Sequence, residues 1–324
     1  IKNNRLNIND FENYIKSSAE TESLGNYLLE VLPVNPENNI SWITFSEFFE
    51  LSFSFIKNQD LSPKIVQLQT ILSEKYLRYL ILSAQFKKAL NVVSLISKKL
   101  KKLPESQHHK PVFIAYKADI YRMIGKNGAA EKLLRPIIIR LEKKSNLNQI
   151  SLAQLYDVLG MRRLYDDKLR CSEAEKSLQR AFVIRQMNFG EQHISTISSN
   201  LHLAEYHNQM GSANKVFECV KSTLEHIAHF KNSYFEAWAN DIMGLAFYFA
   251  GNKTNAISYC EKGLLARRQF LKKGHPLLLE SLHNVGYLLL LSCKSVEAIA
   301  YIHQTYADFK QVSTPEHQNY TVTV

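Results

Sequence analysis

The chain has 324 residues, 45% of them apolar and 22% charged, which suits a packed soluble protein and excludes a disordered polymer. It holds only 11 Gly, well under the roughly 7% of average usage, so there is little material for phosphate loops, parallel α/β sheets or many-stranded barrels, and helices are expected. Forty Lys and Arg against 30 Asp and Glu give a formal charge of +10, a balance that by itself chooses no partner.

In chain order, residues 1–62 read as an N-terminal helical extension of two helices joined by the loop PVNPENN at 33–39. Thr44 and Glu47 stand at capping-box spacing before the apolar run Phe45 to Ile56. Ser62-Pro63 reads as an N-cap followed by proline at the first helical position, and Pro111 and Pro276 open helices in the same way. Residues 63–310 repeat. Ala89, Ala130, Ala174, Val216, Ala256 and Ala298 each sit early in a helix-like segment, at intervals of 41, 44, 42, 40 and 42 residues. Twelve positions upstream lies a compact pair in Lys117-Ala118, Leu203-Ala204, Met243-Gly244 and Val285-Gly286, and more loosely in Tyr76-Leu77. In the third unit the pair is Leu159-Gly160, fourteen residues upstream, which implies two extra residues in the turn RRLYDDKLR.

Within each unit the small residue marks where two antiparallel helices come closest, since a larger side chain would hold their axes apart. Turns are expected at Gly125 to Gly128, Gly211-Ser212 and Gly251-Asn252, where Gly or Asn adopts positive φ. Trp238, Ile242, Leu245 and Phe249 recur at three- and four-residue steps as one helix face. Every pair keeps a leftover apolar side, so neighbours must stack. Residues 311–324, rich in Thr, Gln and Asn, form a C-terminal tail. No apolar stretch reaches the roughly 20 residues that span a bilayer, and no secretory signal is visible.

The pattern of Leu-Gly/Ala, an aromatic three residues on, Gly in a turn, then Ala-x-x-x-aliphatic resembles the tetratricopeptide repeat. It is carried by Ala118 with Tyr121 and Gly125, by Leu203-Ala204 with Gly211, and by Met243-Gly244 with Phe247, Gly251 and Ala256. The period near 42, and the linkers FGEQHISTISSNLHLAEY and KKGHPLLLESLHNVGYLLL, are similar to the kinesin light chain subclass, whose repeats begin near G-x-x-H-P. The resemblance implies an all-α, right-handed α-α superhelix of about six helix pairs.

No constellation for catalysis stands out. Walker, dinucleotide-binding, HExxH and GxSxG patterns are all missing. His226 and His229 are one helical turn apart but lack a third ligand, and His108-His109 reads as a solvated loop. His193 and His275 are expected to fix the turn before a helix. Cys171, Cys219, Cys260 and Cys293 are singletons; Cys219 and Cys260 read as core filler and no disulfide is expected. The basic clusters Lys98-Lys99, Lys101-Lys102, Lys143-Lys144, Arg162-Arg163, Arg267-Arg268 and Lys272-Lys273 recur mostly at the ends of second helices, where cations meet the negative pole of the dipole. They do not interleave with aromatics along a groove, so nucleic acid is not an expected partner. No metal or cofactor is expected.

Members of the resembled family bind peptides on the concave face lined by the first helix of each pair. Transferred here, that implies contacts from Asp119, Arg122, Gln154, Asp157, Met161, Ser198, Glu205, Asn208, Trp238, Asp241, Tyr248, Glu280, His283 and Tyr287. The alternative at each position is packing between helices. The set is acidic and aromatic, unlike the Lys, Arg and Asn of a carboxylate clamp, so a peptide with basic and apolar side chains is the expected ligand. The sequence therefore predicts a non-catalytic cytoplasmic scaffold. A peptide-sensing module of a larger signalling protein, or a fragment of a secreted bacterial effector, is the alternative.

Overall fold

The computed structural model describes residues 18–32, 46–58, 62–102, 109–143, 149–164, 171–230, 233–271, 273 and 275–312. Among these, fourteen helices and no strand occur. They are α1 Ser18–Val31, α2 Ser46–Lys57, α3 Pro63–Leu82, α4 Phe86–Lys102, α5 Lys110–Met123, α6 Asn127–Glu142 and α7 Gln149–Leu164. There follow α8 Cys171–Phe189, α9 Ile194–Gln209, α10 Ala213–Phe230, α11 Ser233–Phe249, α12 Lys253–Phe270, α13 Pro276–Leu291 and α14 Ser295–Val312. The expected loop at 33–39, the Thr44 cap and the tail from 313 lie outside the described residues. From α3 onward the helices alternate as an A and a B helix in six repeats, as the 42-residue period requires. Compact packing divides the chain within α5 into two units, Ile1–Tyr116 and Lys117–Val324.

In the first unit, α1 and α2 pack on the first helix pair, α3 and α4. Phe49 of α2 stacks on Tyr79 at 4.3 Å between ring centroids, and Phe49, Phe55, Ile56, Leu72, Tyr76 and Leu80 are buried. Two lysines anchor the helix ends. Lys75 Nζ of α3 donates to the carbonyls of Leu32 at 2.9 Å and Leu29 at 3.4 Å, at the C-terminus of α1. Lys99 Nζ of α4, buried, donates to Ile56 O at 2.8 Å, to Asn58 O, and to Gln69 Oε1 at 2.8 Å. Lys99, Lys101 and Lys102 stand in the last turn of α4, as expected of the cluster. Lys99 reaches across to the last carbonyls of α2, while Lys98, Lys101 and Lys102 stay exposed.

In the second unit the early B-helix residues Ala130, Ala174, Val216, Ala256 and Ala298 are all fully buried. The compact partners stand where the sequence placed them. A Cβ on Gly244 of α11 would lie 2.3 Å from Cys260 Sγ and 3.1 Å from Ala256 O, and one on Gly160 of α7 would lie 3.2 Å from Ala174 O. The helix axes are therefore as close as backbone contact allows. Cys260, buried against Gly244, is a packing residue, and burial pushes its thiol pKa up. Phe249 departs from the expected apolar face: it is half exposed at the end of α11, while Phe247 beside it packs against Phe217 and Tyr259.

The five turns between A and B helices that lie among the described residues share one device. Five residues before the B-helix Ala or Val, the backbone is left-handed at Ala84 (φ 56°), Gly125 (75°), Gly211 (67°), Gly251 (79°) and Cys293 (59°). At each, the following N–H donates back across the helix end, as in Ser212 N to His207 O at 2.9 Å and Lys294 N to Leu289 O at 3.0 Å. These are Schellman closures. Ala84 and Cys293 hold a conformation that costs a non-glycine residue about 1–2 kcal/mol. Replacing Cys293 by Gly relieves it at the expense of about 0.5–1 kcal/mol of unfolded-state entropy. The expected net gain is about 0.5–1 kcal/mol, read as a higher urea midpoint; a lower midpoint would show that the turn carries no strain.

Candidate functional site

The A helices α7, α9, α11 and α13 lie side by side in the second unit, with α9 packed on both α7 and α11. The expected contact residues divide sharply by burial. Asp157, Met161, Asn208 and Asp241 are buried. Asp119 and Arg122 are half buried and paired with each other, Arg122 Nε to Asp119 Oδ1 at 2.9 Å. Gln154, Ser198, Glu205, Trp238, Tyr248 and His283 are half buried, and Glu280 and Tyr287 are exposed.

The buried aspartates belong to a bracket that the sequence reading missed. Arg185 of α8 is ion-paired with Asp157 of α7 and donates to Ser199 Oγ at 2.5 Å and Ser195 O at 3.2 Å, both on α9. Ser199 Oγ donates in turn to Asp157 Oδ2 at 3.1 Å. The same arrangement recurs two repeats on. Arg267 of α12 meets Asp241 of α11 at 2.7 Å and donates to Ser281 Oγ at 2.8 Å and Leu277 O at 2.6 Å on α13. Each bracket thus ties the A and B helices of one repeat to the A helix of the next. Asp241 Oδ1 fills the space a Cβ on Gly263 of α12 would need. Arg267 stands in the last turn of α12, as expected, and is in addition buried in this pair.

A histidine completes each junction. His193 Nδ1 accepts from Ser195 N at 3.2 Å, and His275 Nδ1 from Leu277 N at 3.2 Å, so each caps its A helix as expected from the linker motif. The signal was present in the sequence as R-x7-H-x5-S, at Arg185, His193 and Ser199 and again 82 residues later at Arg267, His275 and Ser281. It was preceded both times by Asp-Val/Ile-Leu/Met-Gly.

The two brackets differ electrostatically. Burial would raise the pKa of Asp157, but Arg185, His202 and the Ser199 hydroxyl outweigh it and hold the carboxyl below its ordinary value. At Asp241 burial wins over Arg267, with Glu205 adding to it, and the pKa is raised. Outside the brackets lies an open strip. Trp238 Nε1 of α11 donates to Glu205 Oε1 of α9 at 2.7 Å, and His202 meets the indole edge-on at 5.0 Å. On α13, His283 and Tyr287 stack at 6.0 Å. Glu280 makes no hydrogen bond or ion pair among the described residues. Water reaches it, yet surrounding protein strips part of its hydration; that, with Asp241 and Glu205 and against the pull of Arg267, raises its pKa. Among the described residues no group of three His, Cys, Asp or Glu could hold a metal, and no helix is long and apolar enough to cross a membrane.

Stacked A/B helix pairs, with left-handed closures at the described turns and a buried small residue at the crossings of the second unit, give a helical-repeat fold like that of tetratricopeptide repeats. Solved structures bear this out. BtubC (BKLC) from P. vanneervenii is 19% identical over 70% of this chain and 90% of its own, with a TM-score of 0.52. A Rap protein complexed with competence and sporulation factor is 12% identical over 94% of this chain and 78% of its own, with a TM-score of 0.57. A signal transduction ATPase with numerous domains and a tetratricopeptide repeat sensor, from Pyrococcus horikoshii, is 15% identical over 96% of this chain and 50% of its own, at 0.56. At these identities the likeness establishes the fold alone. No family model and no curated protein matches the chain.

Proposed function

We propose that the chain is a non-catalytic interaction scaffold whose A-helix face holds a peptide segment of a partner protein. The observation that carries this reading is the open strip of Glu205, Trp238, Glu280, His283 and Tyr287 on three successive A helices, where, among the described residues, Glu280 feels the carboxylates of Asp241 and Glu205 against the single cation Arg267. Stacking surface next to unneutralised carboxylate suits lysine or arginine side chains flanked by apolar ones. The contact role proposed at Asp157, Asn208 and Asp241 is then indirect, since these hold the helices that present the strip. The solved Rap complex with competence and sporulation factor supports a binding role for this fold. The repeat sensor of the Pyrococcus ATPase supports a second reading, a sensing module within a larger protein.

A peptide array screened with the whole chain should select basic, apolar sequences. Glu280→Lys and Tyr287→Ala, both at exposed positions, should each weaken the selected peptide about tenfold or more, about 1.4 kcal/mol. Because the pKa of Glu280 is raised, its charge is present above that value and lost as pH falls through it, so affinity should drop on mild acidification. Glu280→Gln should remove that dependence. Unchanged affinity in both substitutions would end the proposal.

A further inference from the structure

The junctions between repeats in the second unit are of two kinds. The third repeat (α7, α8) is tied to the fourth (α9, α10) by the Asp157–Arg185–Ser199 bracket, and the fifth (α11, α12) to the sixth (α13, α14) by Asp241–Arg267–Ser281. Between the fourth and fifth the matching positions are Leu201, Ile227 and Ala239, all buried in one apolar cluster. Ion-paired hydrogen bonds weaken steeply as their geometry changes, whereas apolar contact is non-directional and allows packed helices to slide. Among the described residues, two polar ties cross this middle junction between the A helices. Asn208 Nδ2 donates to Ile242 O at 2.9 Å in the interior, and Trp238 donates to Glu205 at the half-buried surface.

We propose that the junction between the fourth and fifth repeats is the flexing joint of this unit. Two latched blocks, α7–α10 and α11–α14, rock against each other about the Asn208–Ile242 tie, and the Glu205–Trp238 hydrogen bond is the clasp that holds them closed. The joint is a property of the free protein and needs no ligand.

The test uses spin labels on equivalent exposed positions two residues after the B-helix marker, namely Lys176, Glu218, Ser258 and Ala300. Labels carried by an unnatural amino acid leave the four native cysteines untouched. The 218/258 distance distribution should be at least twice as wide as those of 176/218 and 258/300. Trp238→Phe, which keeps the ring and removes the N–H, should widen 218/258 further and leave the other two unchanged. Equal widths in the unmodified chain would overturn the joint, and an unchanged 218/258 width in Trp238→Phe would overturn the clasp.

Discussion

Asp157→Ala is expected to destabilise the second unit by about 3–5 kcal/mol, the cost of leaving one member of a buried ion pair without its partner. Arg185 is itself buried, and without the carboxylate only Ser199 and the Ser195 carbonyl remain to hold it. The loss should appear as reduced hydrogen-exchange protection in α8 and α9. The chain supplies its own control, because Leu, Ile and Ala fill the same three positions at the next junction. Asp157→Leu with Arg185→Ile and Ser199→Ala should therefore recover most of the lost stability, as apolar replacement of a whole buried pair often does. If the single and triple substitutions are equally damaging, the bracket is not the unit that matters. The pH dependence has a definite sign. With its pKa held below the unfolded value near about 3.9, Asp157 contributes stability above that value and loses it as pH falls through the folded one.

Lys99→Met should cost about 2–4 kcal/mol in the first unit. Methionine fills similar space but offers no donors, so Ile56 O, Asn58 O and Gln69 Oε1 lose the ammonium that faces them, at about 1–3 kcal/mol for a buried group left unsatisfied. The effect should be local. α2 should lose exchange protection first while α7 to α14 keep theirs, and unaltered protection in α2 would remove the lysine's anchoring role.

What the sequence disclosed and what it hid follow from the range of the forces involved. The helix pairs were legible because their determinants are local: a small residue at most crossings, a turn position, and an alanine or valine early in the B helix. Even the histidine caps could be read from a linker motif. Ala84 and Cys293 were not readable as turn positions, since the tertiary closure imposes a backbone that their side chains disfavour. The candidate face was legible only as a list. Position along a helix separates inner from outer faces on average, but Asp157 and Asp241 turn inward because an arginine 28 and 26 residues later reaches them, a pairing no local pattern shows. The compensating signal was long-ranged, a spacing shared by residues 82 positions apart.

That shared spacing makes two repeats, rather than one, the unit by which such an array can lengthen or shorten. Removing residues 186–267 would join Arg185 to Arg268 and bring His275 and Ser281 to the distances at which His193 and Ser199 stood. The shortened chain would meet itself across a junction of matched chemistry. Removing a single repeat would instead set a buried arginine against the alanine of an apolar face. Duplication in pairs leaves every interface with the partner it already had.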